Sequence, residues 1–255
     1  MMMRKWLTHS NRIRPQKIIV PMAFTFANAC LGMISILQAL NGDYLVAAYC
    51  IVAAAIMDMM DGRIARALKV QSLIGLQLDS LCDAISFCLA PAVLLYSWLV
   101  HDIGWFVVPV LAVYLCCGLY RLAKFNVTAQ DQKYYFIGLP TPAAAFILTA
   151  LVFYQEWIEL NYGRALFHKI GLMALVIAIA YLMVSRIQFP AFKSKGHTNA
   201  LFVRVFFMSG FVFAVGIFFF HWPIFLSLVA WYLIVGILFT LCTYISARRA
   251  LKRIR

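Results

Sequence analysis

Residues 55–83 read AIMDMMDGRIARALKVQSLIGLQLDSLCD. Apolar runs lead into this stretch and out of it, yet four carboxylates stand inside it: Asp58, Asp61, Asp79 and Asp83. On a helix, Asp58 and Asp61 are related as i,i+3 and Asp79 and Asp83 as i,i+4, so each pair projects from one face. The intervening segment is short enough to make the two helices antiparallel neighbours. All four acids are then expected to converge on a single site.

The surroundings fix the solvent in which that site lies. The chain has 255 residues, 65% of them hydrophobic and only 12% charged. Soluble domains carry about 25% charged residues, so there is too little charge here to cover a water-facing surface. The composition excludes a soluble globular enzyme, a disordered chain and a fibrous one. It points to an all-α polytopic membrane helix bundle. A spanning helix takes about 20 apolar residues, and apolar runs near 18–40, 44–66, 75–100, 104–125, 140–155, 166–185, 200–220 and 224–246 predict about eight transmembrane helices. The expected organisation is a basic cytoplasmic juxtamembrane segment over 1–17, one transmembrane domain over 18–246 and a basic cytoplasmic tail over 247–255.

The net charge of +13 reads as topology and contact with anionic membrane lipid, not as a nucleic-acid footprint. Of the 22 Lys and Arg residues, only Arg164 and Lys169 fall on one side of this threading. The others cluster before the first span, after each even-numbered span and at the end of the chain. By the positive-inside rule both termini are cytoplasmic, in a multi-pass protein of the cytoplasmic (inner) membrane. No small-residue cleavage site follows the basic start at the right distance, so the first apolar run is expected to remain as a helix. The segment before Pro21 reads equally as an interfacial amphipathic helix or as a solvated basic tail. The seven cysteines, none spaced as CxxC, read as small buried hydrophobes.

Acids within or bordering lipid are expensive unless paired or bound to cations. Four carboxylates in one pocket resist simultaneous ionisation, and divalent cations remove the conflict. With all-oxygen donors and no His or Cys at ligand spacing, the expected cofactors are two divalent cations, Mg²⁺ or Mn²⁺, sharing bridging carboxylates. Gly62, Ala65 and Gly75 lie near the acidic faces, where small side chains let a phosphate approach the backbone. Arg66 and Ser72 offer a cation and a hydroxyl to phosphate oxygens. An acid pair alone also fits a proton or cation pathway, and glycine and alanine alone fit plain helix packing.

Taken together, Asp61, Gly62, Ala65 and Arg66, then eight residues, then Gly75, Asp79 and Asp83 spell D-G-x-x-A-R-x8-G-x-x-x-D-x-x-x-D, with Asp58 three residues earlier. This resembles the signature of the CDP-alcohol phosphotransferase family, membrane enzymes that move a phosphatidyl-type group from a CDP-linked donor to an alcohol. More loosely, Pro21, Thr25, Asn28 and Gly32 are similar to the family's first-helix element. The resemblance implies that Asp58, Asp61, Asp79 and Asp83 hold the metals and that Asp83 is also the catalytic proton acceptor. It further implies that Thr25, Asn28, Gly62, Ala65, Arg66, Ser72 and Gly75 border the donor, CDP-diacylglycerol, and that the protein is a homodimer.

The run from Leu78 to Ala92 and the segments Tyr120–Asn126 and Phe136–Ala145 look like the family's phosphatidylserine synthase branch, which implies L-serine as acceptor. Cys82, Cys88 and Lys124 depart from the residues usual there, and none of the three is one of the implied metal ligands. Arg121 is placed to pair with a phosphate or the serine carboxylate, and Asn126 to hydrogen-bond serine; Arg121 and Lys124 also fit as positive-inside anchors. Gly138, Pro140 and Pro142 read as shaping the start of the fifth span. Other readings are a family member with another acceptor (glycerol phosphate, inositol phosphate or choline), a divalent-cation or proton transporter, and a purely structural membrane protein.

Overall fold

The computed structural model of the chain describes residues 16–68, 70, 72–128, 135–162, 169–185 and 188–190. Seven α-helices account for most of them: α1 (Gln16–Leu40), α2 (Tyr44–Leu68), α3 (Leu73–Asp83), α4 (Ala90–Ile103), α5 (Val107–Thr128), α6 (Thr141–Tyr162) and α7 (Lys169–Val184). A π-helical turn, Ala84–Leu89, joins α3 to α4 without a break, and a 3₁₀ turn, Gly104–Phe106, joins α4 to α5. Three continuous helical runs are long and apolar enough to cross a membrane: Ile19–Leu40, Tyr44–Leu68 and the 55-residue run Leu73–Val127. The last of these folds back on itself, since α5 packs against both α4 and α3. Thr141–Phe153 and Gly171–Val184 are shorter apolar helices.

Six of the expected spans thus coincide with helical segments. The spans expected at 200–220 and 224–246, the basic tail and the segment before residue 16 lie outside the described residues. Two details differ from the sequence expectation. The bundle carries a small antiparallel ribbon, β1 (Tyr135–Ile137) paired with β2 (Gln188–Pro190). The cysteines are not uniformly buried: Cys82 and Cys88 are, whereas Cys30 and Cys116 face outward. In lipid an outward thiol meets hydrocarbon, so exposure to the surroundings is no penalty for a small apolar group.

Local chemistry explains where the helices stop. Gly42, at φ 88°, closes α1 with the amide of Asp43 on the Gln38 carbonyl at 2.9 Å and that of Gly42 on Ala39 at 3.2 Å. This is the paired 6→1 and 5→2 arrangement that a left-handed residue permits after a helix. Ser72 caps α3, its hydroxyl accepting from the Gly75 amide at 3.0 Å. Gly104, at φ 68°, ends α4. Gly138, at φ 83°, lets the chain pass so close to the Met183 carbonyl that a Cβ would collide with it, and α6 begins three residues later. The expectation that Gly138 and the neighbouring prolines shape the start of the fifth span is met.

The core is built from small side chains on α1 and α2 and larger ones beyond them. Ala39, Ala47, Ala48, Ile51 and Ala54 are fully enclosed, and Ser35 on α1 donates to the Ala47 carbonyl at 2.8 Å. Small residues let these two backbones approach closely, the usual basis of helix association in lipid. Phe87, Leu94, Leu95, Tyr114, Leu148 and Ile179 fill the middle. Phe26, Met33, Leu37 and Tyr49 point outward from α1 and α2, as side chains facing acyl chains do.

The two acid-bearing helices pack more against α1 than against each other. α1 packs along α2 and also meets α3, the π turn and α4. Of the sequence expectation that α2 and α3 are antiparallel neighbours whose acids converge, the convergence stands, while the main packing partner of α2 is α1. The site lies where these elements meet.

Candidate active site

The C-terminal turns of α2 carry Asp58 and Asp61, and α3 carries Asp79 and Asp83 at its far end. Carboxylate oxygens of Asp58, Asp61 and Asp79 lie within 4.8 Å of one another. Asp83 is buried and adjoins the group through Asp58, whose carboxylate also meets that of Asp79. The four acids singled out in the sequence therefore come together, three as a tight cluster and the fourth beside it.

Three observations fit this cluster to a hard divalent cation. Its donors are all carboxylate oxygens, the preference of Mg²⁺ and Mn²⁺. They come from two helices that otherwise pack mainly against other elements. One of them, Asp79 Oδ1, is buried with no hydrogen-bond partner. An enclosed carboxylate oxygen without a partner costs several kcal/mol in order of magnitude unless a cation or proton meets it.

Two side chains of α1 reach into the cluster from the side. Thr25 donates to Asp61 Oδ2 at 2.7 Å and shares its proton with the Pro21 carbonyl at 3.1 Å. Asn28 donates from Nδ2 to Asp83 Oδ1 at 3.1 Å and is wholly enclosed. Of the loosely matched first-helix residues, Thr25 and Asn28 thus meet the acids directly, each holding one carboxylate.

The remaining sequence candidates divide into two sets. Gly62 and Ala65 lie on α2 next to the acids, and Arg66 is exposed, its guanidinium 3.4 Å from where a Cβ on Gly62 would stand. Ser72 and Gly75 bond to each other as the cap of α3, so the Ser72 hydroxyl already serves the helix start. Arg121, near the C-terminal end of α5, is buried and donates to Thr141 at the start of α6 at 3.3 Å. Asn126 binds α3 instead of opening onto the acids: its Nδ2 donates to Gln77 at 3.1 Å, and its Oδ1 accepts from Ser80 at 2.8 Å.

Sequence reading placed Ser86 and Pro91 in the run Leu78–Ala92 without giving them a role, and it missed Tyr114. Ser86, fully buried in the π turn, donates to the Asn28 backbone carbonyl at 2.9 Å, and Gly32 one turn further along α1 lies so close that any side chain there would strike Ser86. Tyr114 donates to the Phe87 carbonyl at 2.8 Å. The signal for that bond was present in Pro91: proline has no N–H, so the carbonyl four residues earlier, that of Phe87, lacks its helical donor. A hydroxyl from a neighbouring helix replaces it.

A family model described as CDP-alcohol phosphatidyltransferase matches residues 18–242, most of the chain and all of the site. The chain belongs to this family. As a CDP-alcohol phosphatidyltransferase it is similar to a CDP-diacylglycerol–serine O-phosphatidyltransferase of Helicobacter pylori, 34% identical over 196 residues that span 76% of this chain and 81% of the relative. A Bacillus subtilis protein of the same name is 32% identical over 180 residues, 71% of this chain and 94% of the relative. An archaetidylserine synthase of Methanothermobacter thermautotrophicus is 31% identical over 185 residues, 72% of this chain and 74% of the relative. The family membership and the oxygen cluster agree: CDP-alcohol phosphatidyltransferases use divalent metals, and the aspartates here form a group able to bind one.

Proposed function

We propose that the protein transfers the phosphatidyl group of CDP-diacylglycerol to the hydroxyl of L-serine, releasing CMP and phosphatidylserine. The observation that carries this reading is the meeting of the carboxylates of Asp58, Asp61 and Asp79 with Asp83 beside them, in a chain whose relatives include enzymes named for that reaction. Asp58, Asp61, Asp79 and Asp83 would hold two divalent cations, Mg²⁺ or Mn²⁺. When bound, these ions supply positive charge against the diphosphate and the departing CMP.

The protein's own groups do the rest. Asp83 takes the proton from the serine hydroxyl, and that oxygen attacks the phosphorus bearing the diacylglycerol. The bond from that phosphorus to the CMP oxygen breaks, and CMP leaves as an anion. Arg66, exposed at the edge of the cluster, pairs with the donor's phosphates. Gly62, Ala65 and Gly75 keep the approach open, with Thr25, Asn28 and Ser72 lining the donor's side. Arg121 serves the serine carboxylate or a phosphate, and Asn126 the serine end of the cavity. The serine-accepting reading of Asn126 requires its bonds to Gln77 and Ser80 to exchange when serine binds.

The same reading places the transmembrane domain over residues 18–246 of a homodimer in the cytoplasmic membrane, with both basic termini in the cytoplasm. It rests on the distribution of Lys and Arg and on the family resemblance. The site's position at the junction of α2 and α3 lets acyl chains stay in the bilayer while the diphosphate reaches the aqueous side.

The test is CMP release by the purified protein from CDP-diacylglycerol with Mg²⁺ or Mn²⁺, with and without L-serine. Serine-dependent release that falls about 10²–10⁴-fold in Asp83→Asn, with donor binding retained, is the expected result. Release with glycerol phosphate, inositol phosphate or choline but not with serine would move the acceptor. Silence with every alcohol, in folded protein, would overturn the reading in favour of ion transport.

A further inference from the structure

Asp83 differs from the other three acids in how it is held. Its Oδ1 accepts from the Asn28 amide, whose own Oδ1 is left buried with no hydrogen-bond partner. Turning that amide over would satisfy nothing near Asp83, because it would set two oxygens face to face. The orientation is therefore dictated by the carboxylate, at the expense of an orphaned acceptor. Asn28 is in turn fixed from behind. Ser86, three residues after Asp83 in the π turn, donates to the Asn28 backbone carbonyl at 2.9 Å. Gly32 gives the π turn room to lie against α1, since any Cβ there would meet Ser86. A closed circuit results: Asp83 to Asn28 across the helix gap, and Asn28 back to Ser86 on Asp83's own strand of helix.

We propose that Asn28 and Ser86 are a positioning pair that fixes the rotamer of Asp83, committing Oδ1 to Asn28 and leaving Oδ2 to serve the carboxylate cluster and the acceptor hydroxyl. This deepens the transferase reading and rests on it for the role of Asp83. Neither residue touches bulk solvent, one Asn28 amide hydrogen is committed to Asp83 and the Ser86 hydroxyl to Asn28, so whatever Asn28 offers the donor, the pair also acts through Asp83.

The test compares Asn28→Ala, Ser86→Ala and the double variant by steady-state CMP release, with Mn²⁺ binding to the donor-free protein followed by electron paramagnetic resonance. Expected are kcat losses of about 100-fold for Asn28→Ala and about 10-fold for Ser86→Ala, with KM for CDP-diacylglycerol and for serine within about twofold. The double variant is no slower than Asn28→Ala, because both act through one carboxylate. A raised KM for CDP-diacylglycerol with kcat retained, multiplying effects in the double variant, or an unchanged kcat in Ser86→Ala would overturn the pair. A wild type that binds Mn²⁺ yet releases no CMP would refute the transferase reading alone. The pair would then be decided by Mn²⁺ affinity, expected to weaken several-fold in both single variants and refuting it if unchanged.

Discussion

At the scale of single residues, the chain gathers four of its nine acids in one place, and three of them differ in what they meet. Asp61 takes the Thr25 hydroxyl, Asp83 takes the Asn28 amide, and Asp79 keeps one buried oxygen with no hydrogen-bond partner. That oxygen is the position most dependent on a cation, which makes Asp79 the most sensitive point for metal binding. Asp79→Asn is expected to weaken Mn²⁺ binding at least about tenfold and to abolish serine-dependent CMP release. Calorimetric titration of the donor-free protein checks the first and the CMP assay the second; undiminished Mn²⁺ affinity would remove Asp79 from the metal set. These acids were legible in the sequence because charge in an apolar run has few structural uses. Their individual partners were not, since Thr25 and Asn28 lie 36 and 55 residues away from the carboxylates they hold.

At the scale of elements, the helices were legible and their packing was not. Hydropathy and spacing locate α1, α2 and the long α3–α5 run within a few residues, because lipid admits only helices with their backbone bonds satisfied internally. Nothing in that pattern says which helix lies against which, so the packing of α1 against both acid-bearing helices had to come from the structure. The π turn was equally hidden, although Pro91 announced a missing donor. Tyr114 fills that gap, and Tyr114→Phe is expected to lower the melting temperature of detergent-solubilised protein by an amount equivalent to about 1–2 kcal/mol. An unchanged melting curve would show that the Phe87 carbonyl finds another donor. Gly32→Ala is a sharper test of element packing. Its new methyl has no space beside Ser86, so both stability and turnover should fall, whereas Gly171→Ala, with open space around it, should leave both unchanged. Melting and CMP release on the two variants in parallel separate the local clash from a general intolerance of alanine.

At the scale of the whole molecule, the arrangement makes a prediction about sidedness. The acid cluster, the N-cap of α3, Asn126 on α5 and the start of α6 share one end of the bundle, and the Gly104–Phe106 turn forms the other. Trp105 and Phe106 are 78% and 82% exposed at that turn, where aromatic side chains suit a membrane–water boundary. In intact cells a membrane-impermeant maleimide is expected to label Trp105→Cys, while Arg255→Cys reacts only after the membrane is opened. The reverse pattern would invert the topology. Sequence reading expects this orientation from charge alone, since lysine and arginine concentrate on the cytoplasmic side of multi-pass proteins.

The π turn also has a meaning for how such a helix is built. Six residues wound more widely than their neighbours are equivalent to one extra residue slipped into an α-helix, and one residue is worth about 100° of rotation. The turn therefore works as a phase shifter between two lengths of the same rod. Below it, Asp79 and Asp83 are aimed at the chemistry; above it, Leu94, Leu95 and Leu99 are aimed at the packed interior. Each face is set independently of the other's angular register. Removing one residue from 84–89 would let the segment wind as plain α-helix with the two halves still aligned, whereas rewinding all six residues as α-helix would swing the halves apart by about a quarter of a revolution.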